Sequence, residues 1–446
     1  MNYAVSQNSA DSRERATRKF STTPGTRDIL PPESRRLRSL QAGIRERFGR
    51  FGFQEVLTPA LEYSEVIEEP GLRDASFKLF DPDNQMLILR PEATTPIARL
   101  VAQRLSNSPT PHKLSYMLPA FRRASVGRGQ SAEVYQAGVE VVGSAEAAED
   151  AGVIALLVDV LEKAGLEYRA YRESPESPGS MVSMPDFGVA LGQSAFFEGY
   201  LHRAAPDRAA DILEALSAKD LVRVDELSGE LPGEVGRAVR EIPRLVGPAS
   251  DGGILAAAES YAADAPGARE ALENLRSILS HLEAHGCLEA VTLDLGLVGR
   301  RDYYTGAVFE VYAGGMAFTI ANGGRYDNLL KRFGESLPAT GFAISLERLL
   351  SVVPDEEPPP LVLLVGGGPD GTRSAAKLRG LGVPVLHLAE GGEPDAVARY
   401  ARSKEAGWIC HPEAGGVRIS RTGEPGSELV GVEEVPEMVL PGKVPG

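Results

Sequence analysis

Three short stretches carry residues able to recognise a basic, hydrogen-bonding ligand. In YQAGVEVVG (135–143) side chains alternate between the faces of a strand, so Gln136, Gly138 and Glu140 share one face. Gly138 removes a side chain between an amide and a carboxylate, which leaves a polar pocket floor. In YYTGAVFE (303–310) Tyr304, Gly306, Val308 and Glu310 share a face, and a glycine again sits beside polar groups. In LRPEATTPIAR (89–99) Glu92 and Thr94 follow a strand that Pro91 ends. Pooled, these stretches give carboxylates, an amide, a hydroxyl and tyrosine phenols. One carboxylate can hold an α-ammonium while another accepts from an imidazole N–H. Each residue alone reads as a polar group at a strand edge. Two separate strands that pair a glycine with a polar group weigh against that reading.

Other chemistry finds little support. Cys287 and Cys410 are the only cysteines, too few for a disulfide framework and with no CxxC pair for zinc. His281 and His285 lie one helical turn apart, but HLEAH lacks the glutamate placement of the HExxH motif and reads as a solvated helix end. VGGGPDG (365–371) has neither a Walker lysine nor the GxGxxG order and reads as a turn. The expectation is therefore no metal and no cofactor.

The elements that must position the pocket are legible in the pattern. Pro31-Pro32-Glu33 opens a helix whose Leu37, Leu40, Ile44, Phe48 and Phe51 recur at steps of three and four, and Gly52 ends it. FQEVLTP, QMLILRPE, KLSYMLPAFRR and YQAGVEVVG read as strands, and AEDAGVIALLVDVLEKAG (148–165) as a helix. Residues 186–286 read as a mainly helical insertion. Strands return at AVTLDLG, YYTGAVFEVYAG and AFTIAN, and GFAISLERLL passes from strand to helix. Residues 1–22 read as a disordered leader and 355–360 as a linker. The remainder, 361–446, alternates β-α-β-α-β and reads as a small parallel α/β domain. Residues 23–185 and 287–354 make up the two parts of the main core.

Bulk composition narrows the function. The chain has 446 residues, 43% hydrophobic and 24% charged, with a net formal charge of −15. That length implies roughly two to four domains. The acidic balance favours a small-molecule or protein partner over nucleic acid. No apolar run approaches the roughly 20 residues of a membrane span, and the polar start is unlike a secretory signal. The expected location is the cytoplasm, with no membrane partner.

TPGTRDILP, LRPEATTP, FRR followed by YQAGVEVVG, RRDYYTGAVFE, and GGRYDNLL followed by GFAISLERL occur in an order and spacing that resemble the class II histidyl-tRNA synthetase superfamily. The resemblance covers residues 23–350. It implies an α+β fold: a class II synthetase-like antiparallel sheet flanked by helices, with a helical insertion and a small C-terminal α/β domain. Carried over by position, Glu92, Thr94 and Gln136 hold the histidine amino group, and Glu140 and Tyr304 hold the imidazole beside Tyr303. Arg122 faces the carboxylate, and Arg348 is the remnant of an ATP site.

The departures matter as much. Synthetases of this family carry a glutamate where Ala124 stands, and a catalytic arginine where Gly299 stands. Loss of an arginine that stabilises developing charge costs several kcal/mol of barrier, on the order of 3. Arg300 and Arg301 are displaced along the strand start, and a shift of one residue turns a side chain to the other face. The C-terminal unit has nine Lys and Arg against eleven Asp and Glu, a poor surface for a tRNA stem. This pattern is similar to a non-catalytic synthetase paralogue, the regulatory subunit of short-form ATP phosphoribosyltransferase. That resemblance implies a separate catalytic subunit as partner in a hetero-octamer, a homodimeric core, histidine as effector and no tRNA. It places the chain at the first step of histidine biosynthesis, with feedback inhibition by histidine. The alternatives are a working histidyl-tRNA synthetase and a synthetase-like module for another amino acid.

Overall fold

A computed structural model describes residues 21–123, 131–168, 186–299, 304–314, 316, 318–355 and 360–440. Ala124, the loop 125–130, and Arg300, Arg301, Asp302 and Tyr303 lie outside the described residues, as do 1–20 of the expected leader and 356–359 of the expected linker. The chain divides into two compact units, Met1–Pro354 and Asp355–Gly446.

Among the described residues the first unit has twelve strands: β1 (Gln54–Glu55), β2 (Leu61–Tyr63), β3 (Lys78–Phe80), β4 (Met86–Leu89), β5 (His112–Phe121), β6 (Glu133–Val142), β7 (Phe187–Gln193), β8 (Val246–Pro248), β9 (Val291–Asp294), β10 (Ala307–Ala313), β11 (Thr319–Arg325) and β12 (Ala339–Ser345). Nine of them form one sheet in the order β1-β5-β6-β12-β11-β10-β7-β9-β8, and β2-β4-β3 form a small second sheet. The six central strands are antiparallel, as the resemblance implies. The sheet as a whole is mixed, because β1 pairs parallel with β5 and β7 parallel with β9.

One face of the large sheet is the core. Ala137, Val139, Val141, Phe309, Val311, Phe342 and Ile344 project from it against the helices Ala147–Lys163 and Pro266–Ala284 and the helix Glu33–Arg50. Leu37, Leu40, Ile44 and Phe48 of that last helix are buried in the same cluster, and the Phe48 and Phe342 rings lie 6.0 Å apart. The apolar face of this helix is therefore used within the chain. An ion pair with Asp150 wholly buried ties sheet to helix: Arg325 Nε donates to Asp150 Oδ2 at 3.0 Å. Burial raises the Asp150 carboxyl above its ordinary range, against the opposing pull of the guanidinium.

The helical stretch starts later than its composition suggests. FGVALGQ forms β7, inside the sheet between β10 and β9. Its apolar residues are buried on a strand with neighbours on both sides, so no polar alternation marks it. Helices follow from Ser194 to Ala284, interrupted by β8.

The second unit has β13 (Leu361–Val365), β14 (Val385–Leu388), β15 (Ala406–Glu413), β16 (Gly416–Arg421) and β17 (Glu428–Val430) in the order β14-β13-β15-β16-β17. The first three are parallel, as expected from the β-α-β-α-β pattern. The last two add an antiparallel meander that this pattern does not include. Of VGGGPDG, Val365 ends β13, Gly366 and Gly367 make the turn, and the rest opens the helix Gly368–Gly380, with Gly368 at φ +75°. Among the described residues no helix is long and apolar enough to cross a membrane, and no group of three His, Cys, Asp or Glu could hold a metal.

Candidate functional site

The second face of the large sheet is polar and rich in glycine. Register makes it so. Glu140 lies across from Leu114 on β5 and Gly341 on β12, and Gly138 across from Tyr116 and Ala343. Asn322 continues the row opposite Ala343, and Glu310 opposite Asn322. A Cβ at Gly341 would lie 2.9 Å from Glu140 Cδ, so the carboxylate occupies the space that this glycine vacates. A Cβ at Gly138 would lie 2.5 Å from Tyr116 Cζ. The gap read above Gly138 is thus partly filled by the Tyr116 phenol.

Glu92, Thr94, Gln136, Glu140 and Tyr304 line one cavity, with Tyr116, Asn322 and Tyr326 completing it. The cavity is small, about 20 Å³, room for little more than one water. Among the described residues its lining holds two carboxylates and no basic side chain. Such a lining attracts an ammonium or a ring N–H and repels phosphate.

Each wall has a local cause. Glu92 stands just before the helix Thr94–Leu100 and accepts from Thr95 N at 3.0 Å, which satisfies a free donor of that helix start. Arg99, one turn on, pairs with the buried Glu62 of β2 at 2.7 Å. Glu140 is 1% exposed and accepts at Oε2 from the Tyr326 hydroxyl. Among the described residues the Oε1 of Gln136 is buried without a hydrogen-bond partner. Tyr304 sits in a slot between two glycines. A Cβ at Gly299 would lie 2.8 Å from Tyr304 Cβ, and one at Gly324 2.8 Å from Tyr304 Cδ1. No side chain fits at 299 while Tyr304 holds this position.

Three positions named from sequence stand apart from the cavity lining. Arg122 donates from Nε to Pro91 O at 2.8 Å. Arg348 donates to Thr319 O at 2.7 Å and lies over the Phe318 ring, with its guanidinium pKa lowered by burial. Glu310 shares the sheet face but engages Lys219 Nζ at 3.2 Å and the Tyr312 hydroxyl. Tyr116, Asn322 and Tyr326 were not foreseen. Tyr326 lies within the quoted GGRYDNLL stretch. Tyr116 could be found only from its register against Gly138.

A family model described as Histidyl-tRNA synthetase matches residues 25–170 and 177–349. A relative named ATP phosphoribosyltransferase regulatory subunit, from Rubrobacter xylanophilus, is 62% identical over 428 residues, covering 96% of this chain and 100% of the relative. A protein of the same name from Symbiobacterium thermophilum is 36% identical over 87% of this chain and 96% of its own length. Among solved structures, an ATP phosphoribosyltransferase regulatory subunit/histidyl-tRNA synthetase from Bacillus halodurans C superposes with TM-score 0.74 at 28% identity, covering 85% of this chain and 96% of that one. Histidyl-tRNA synthetase from Nostoc sp. PCC 7120 superposes with TM-score 0.78 at 19% identity over 94% and 98% of the two chains, which shows a shared fold. By the match over most of its length and the close relative spanning nearly all of it, the chain belongs to the histidyl-tRNA synthetase family and, within it, to the regulatory subunits of ATP phosphoribosyltransferase.

Proposed function

We propose that this chain senses histidine on behalf of a catalytic ATP phosphoribosyltransferase subunit and does not itself charge tRNA. One observation carries the reading. Five of the seven residues expected to hold histidine line a single cavity, while Gly299, where the resemblance implies the synthetase's catalytic arginine, is closed off by Tyr304. A site that binds the amino acid without activating it is what feedback requires. Glu92, Thr94 and Gln136 take the ammonium group, and Glu140 and Tyr304 take the imidazole. The free volume is too small for histidine, so binding moves the wall that carries Tyr304 outward. In the assembly, a homodimer of this chain joins catalytic subunits in a hetero-octamer in the cytoplasm. Histidine there lowers the rate of the first step of its own synthesis by favouring the less active arrangement.

Calorimetry on wild type and Glu140→Gln, followed by inhibition curves for each reconstituted complex, tests this. The substitution keeps the shape and removes the charge. A charge-assisted hydrogen bond contributes roughly 1.5–3 kcal/mol, so affinity falls about ten- to a hundredfold and the inhibition curve shifts with it. Unchanged affinity and inhibition would place the sensor elsewhere. Histidine-dependent exchange of pyrophosphate into ATP by the pure protein would overturn the non-catalytic reading.

A further inference from the structure

The cavity is lined from two sheets. Gln136 and Glu140 stand on β6 of the large sheet, and Glu92 follows β4 of the small one. The distance between the two carboxylates therefore depends on how the sheets are joined. Arg90 sits at the joint, one residue past the end of β4 and only 3% exposed. Its Nε donates to Pro119 O on β5 of the large sheet at 2.8 Å. Its Nη1 donates to Thr58 O at 2.7 Å and to Pro59 O at 3.0 Å, in the segment that leads from β1 of the large sheet to β2 of the small one. The Arg90 backbone adds two bonds of 2.9 Å, from its own N–H to Ala60 O and from the Phe121 N–H to its carbonyl. Burial lowers the guanidinium pKa, so holding this cation among neutral carbonyls is costly. A planar fork suits the task, because nitrogens on separate arms reach both sheets at once.

We infer that Arg90 is a positioning residue that sets where Glu92 meets the ammonium group of the ligand. Pro91 has a fixed φ, and its carbonyl accepts from Arg122 Nε at 2.8 Å, so the chain leaves Arg90 in a set direction. Glu92 and Thr94 follow at once on the wall rooted there. Loosening that root shifts these two against Gln136. It leaves Glu140 and Tyr304, which take the imidazole, on their own elements. Arg90 therefore acts on one end of the ligand and not on the other. This rests on the histidine reading of the cavity.

The test is calorimetry on the full chain with histidine and with imidazolepropionate, which lacks the amino group and is read by its displacement of histidine. Arg90→Lys keeps the charge, but its single nitrogen does not span carbonyls of both sheets. Histidine affinity should fall about tenfold, the effect of one hydrogen bond to a charged group. Affinity for imidazolepropionate should change less than about twofold. A merely structural role would weaken both ligands alike. Where imidazolepropionate displaces no histidine from wild type, a Glu92→Gln background takes its place, and there Arg90→Lys should cost less than about twofold. Arg90→Gln is read in the same way where Arg90→Lys does not fold. Loss of the folded state in both variants, as judged by circular dichroism, makes Arg90 structural and overturns the inference. Wild type that binds no histidine overturns the functional reading and this inference with it. Wild type that binds, with equal losses for the two ligands or equal costs in the two backgrounds, overturns this inference alone.

Discussion

Gly299→Ala adds one methyl group where the structure has least room for it. The new Cβ would lie 2.8 Å from Tyr304 Cβ and closer still to the ring edge, whereas ordinary contact begins at 3.4 Å. Tyr304 would have to retreat by about 0.6 Å at its Cβ and further at the ring. On the opposite side Gly324 carries no Cβ, and one placed there would lie 2.8 Å from the same ring, so the space for retreat is what that glycine leaves open. Overpacking of this kind costs about 1–3 kcal/mol. If the ring holds its place, the strain sits in the fold and the melting temperature drops while histidine affinity survives. If the ring leaves, stability survives and the ligand loses its phenol, so affinity falls about five- to 150-fold. Calorimetry and a thermal melt on the same preparation separate these outcomes, and both readouts at wild-type values would refute the argument. Gly299→Arg, which supplies the residue that the resemblance implies for a synthetase, should do more damage to histidine binding and still give no pyrophosphate exchange.

Both thiols should be inert in the native protein. Burial pushes Cys287 up to about 11 and Cys410 up to about 12, so thiolate is scarce near pH 8 and Ellman's reagent should label neither until denaturant is added. Asp150 should give stability an unusual pH dependence. Its carboxyl is raised on folding, so the folded protein holds the proton more tightly than the unfolded chain. Its contribution is then largest below the unfolded range, near pH 4, and declines as pH rises through the folded value. Melting temperature followed between about pH 4 and 7 should be flatter in Asp150→Asn than in wild type, and lower at pH 7 because Arg325 loses its buried partner. An unchanged pH slope in the variant would refute this.

The cavity was largely legible because its floor is a strand. Alternation alone puts Gln136, Gly138 and Glu140 on one face, and the central strands were marked by apolar runs ending in proline or glycine. What escaped depends on register between strands far apart in sequence. Tyr116 lies on β5, where KLSYMLPAF gives no sign that its phenol covers Gly138 from the neighbouring strand. Asn322 joins the row only because β11 pairs with β12 at that offset. The strand β7 was hidden for a different reason. The half-buried residues on its second face, Gly188 and Ala190, are small and apolar, so FGVALGQ shows neither the polar alternation of an exposed strand nor a composition distinct from the alanine-rich helices after it. Where Arg122 and Arg348 point was also beyond reach, since a long side chain after a strand end can turn toward carbonyl oxygens on either side.

Arg325 and Tyr326 are consecutive, yet they are anchored on opposite sides of the sheet. Arg325 reaches the helix at the back through Asp150, and Tyr326 reaches the pocket floor at the front through Glu140. The pair acts as a rivet through the thickness of the sheet. Strands joined this way cannot slide past one another without breaking a buried ion pair and a buried hydrogen bond together. The floor of the cavity is therefore a fixed datum. Any movement that admits a ligand or transmits its arrival falls to the walls, the helix that begins at Thr94 and the segment that carries Tyr304.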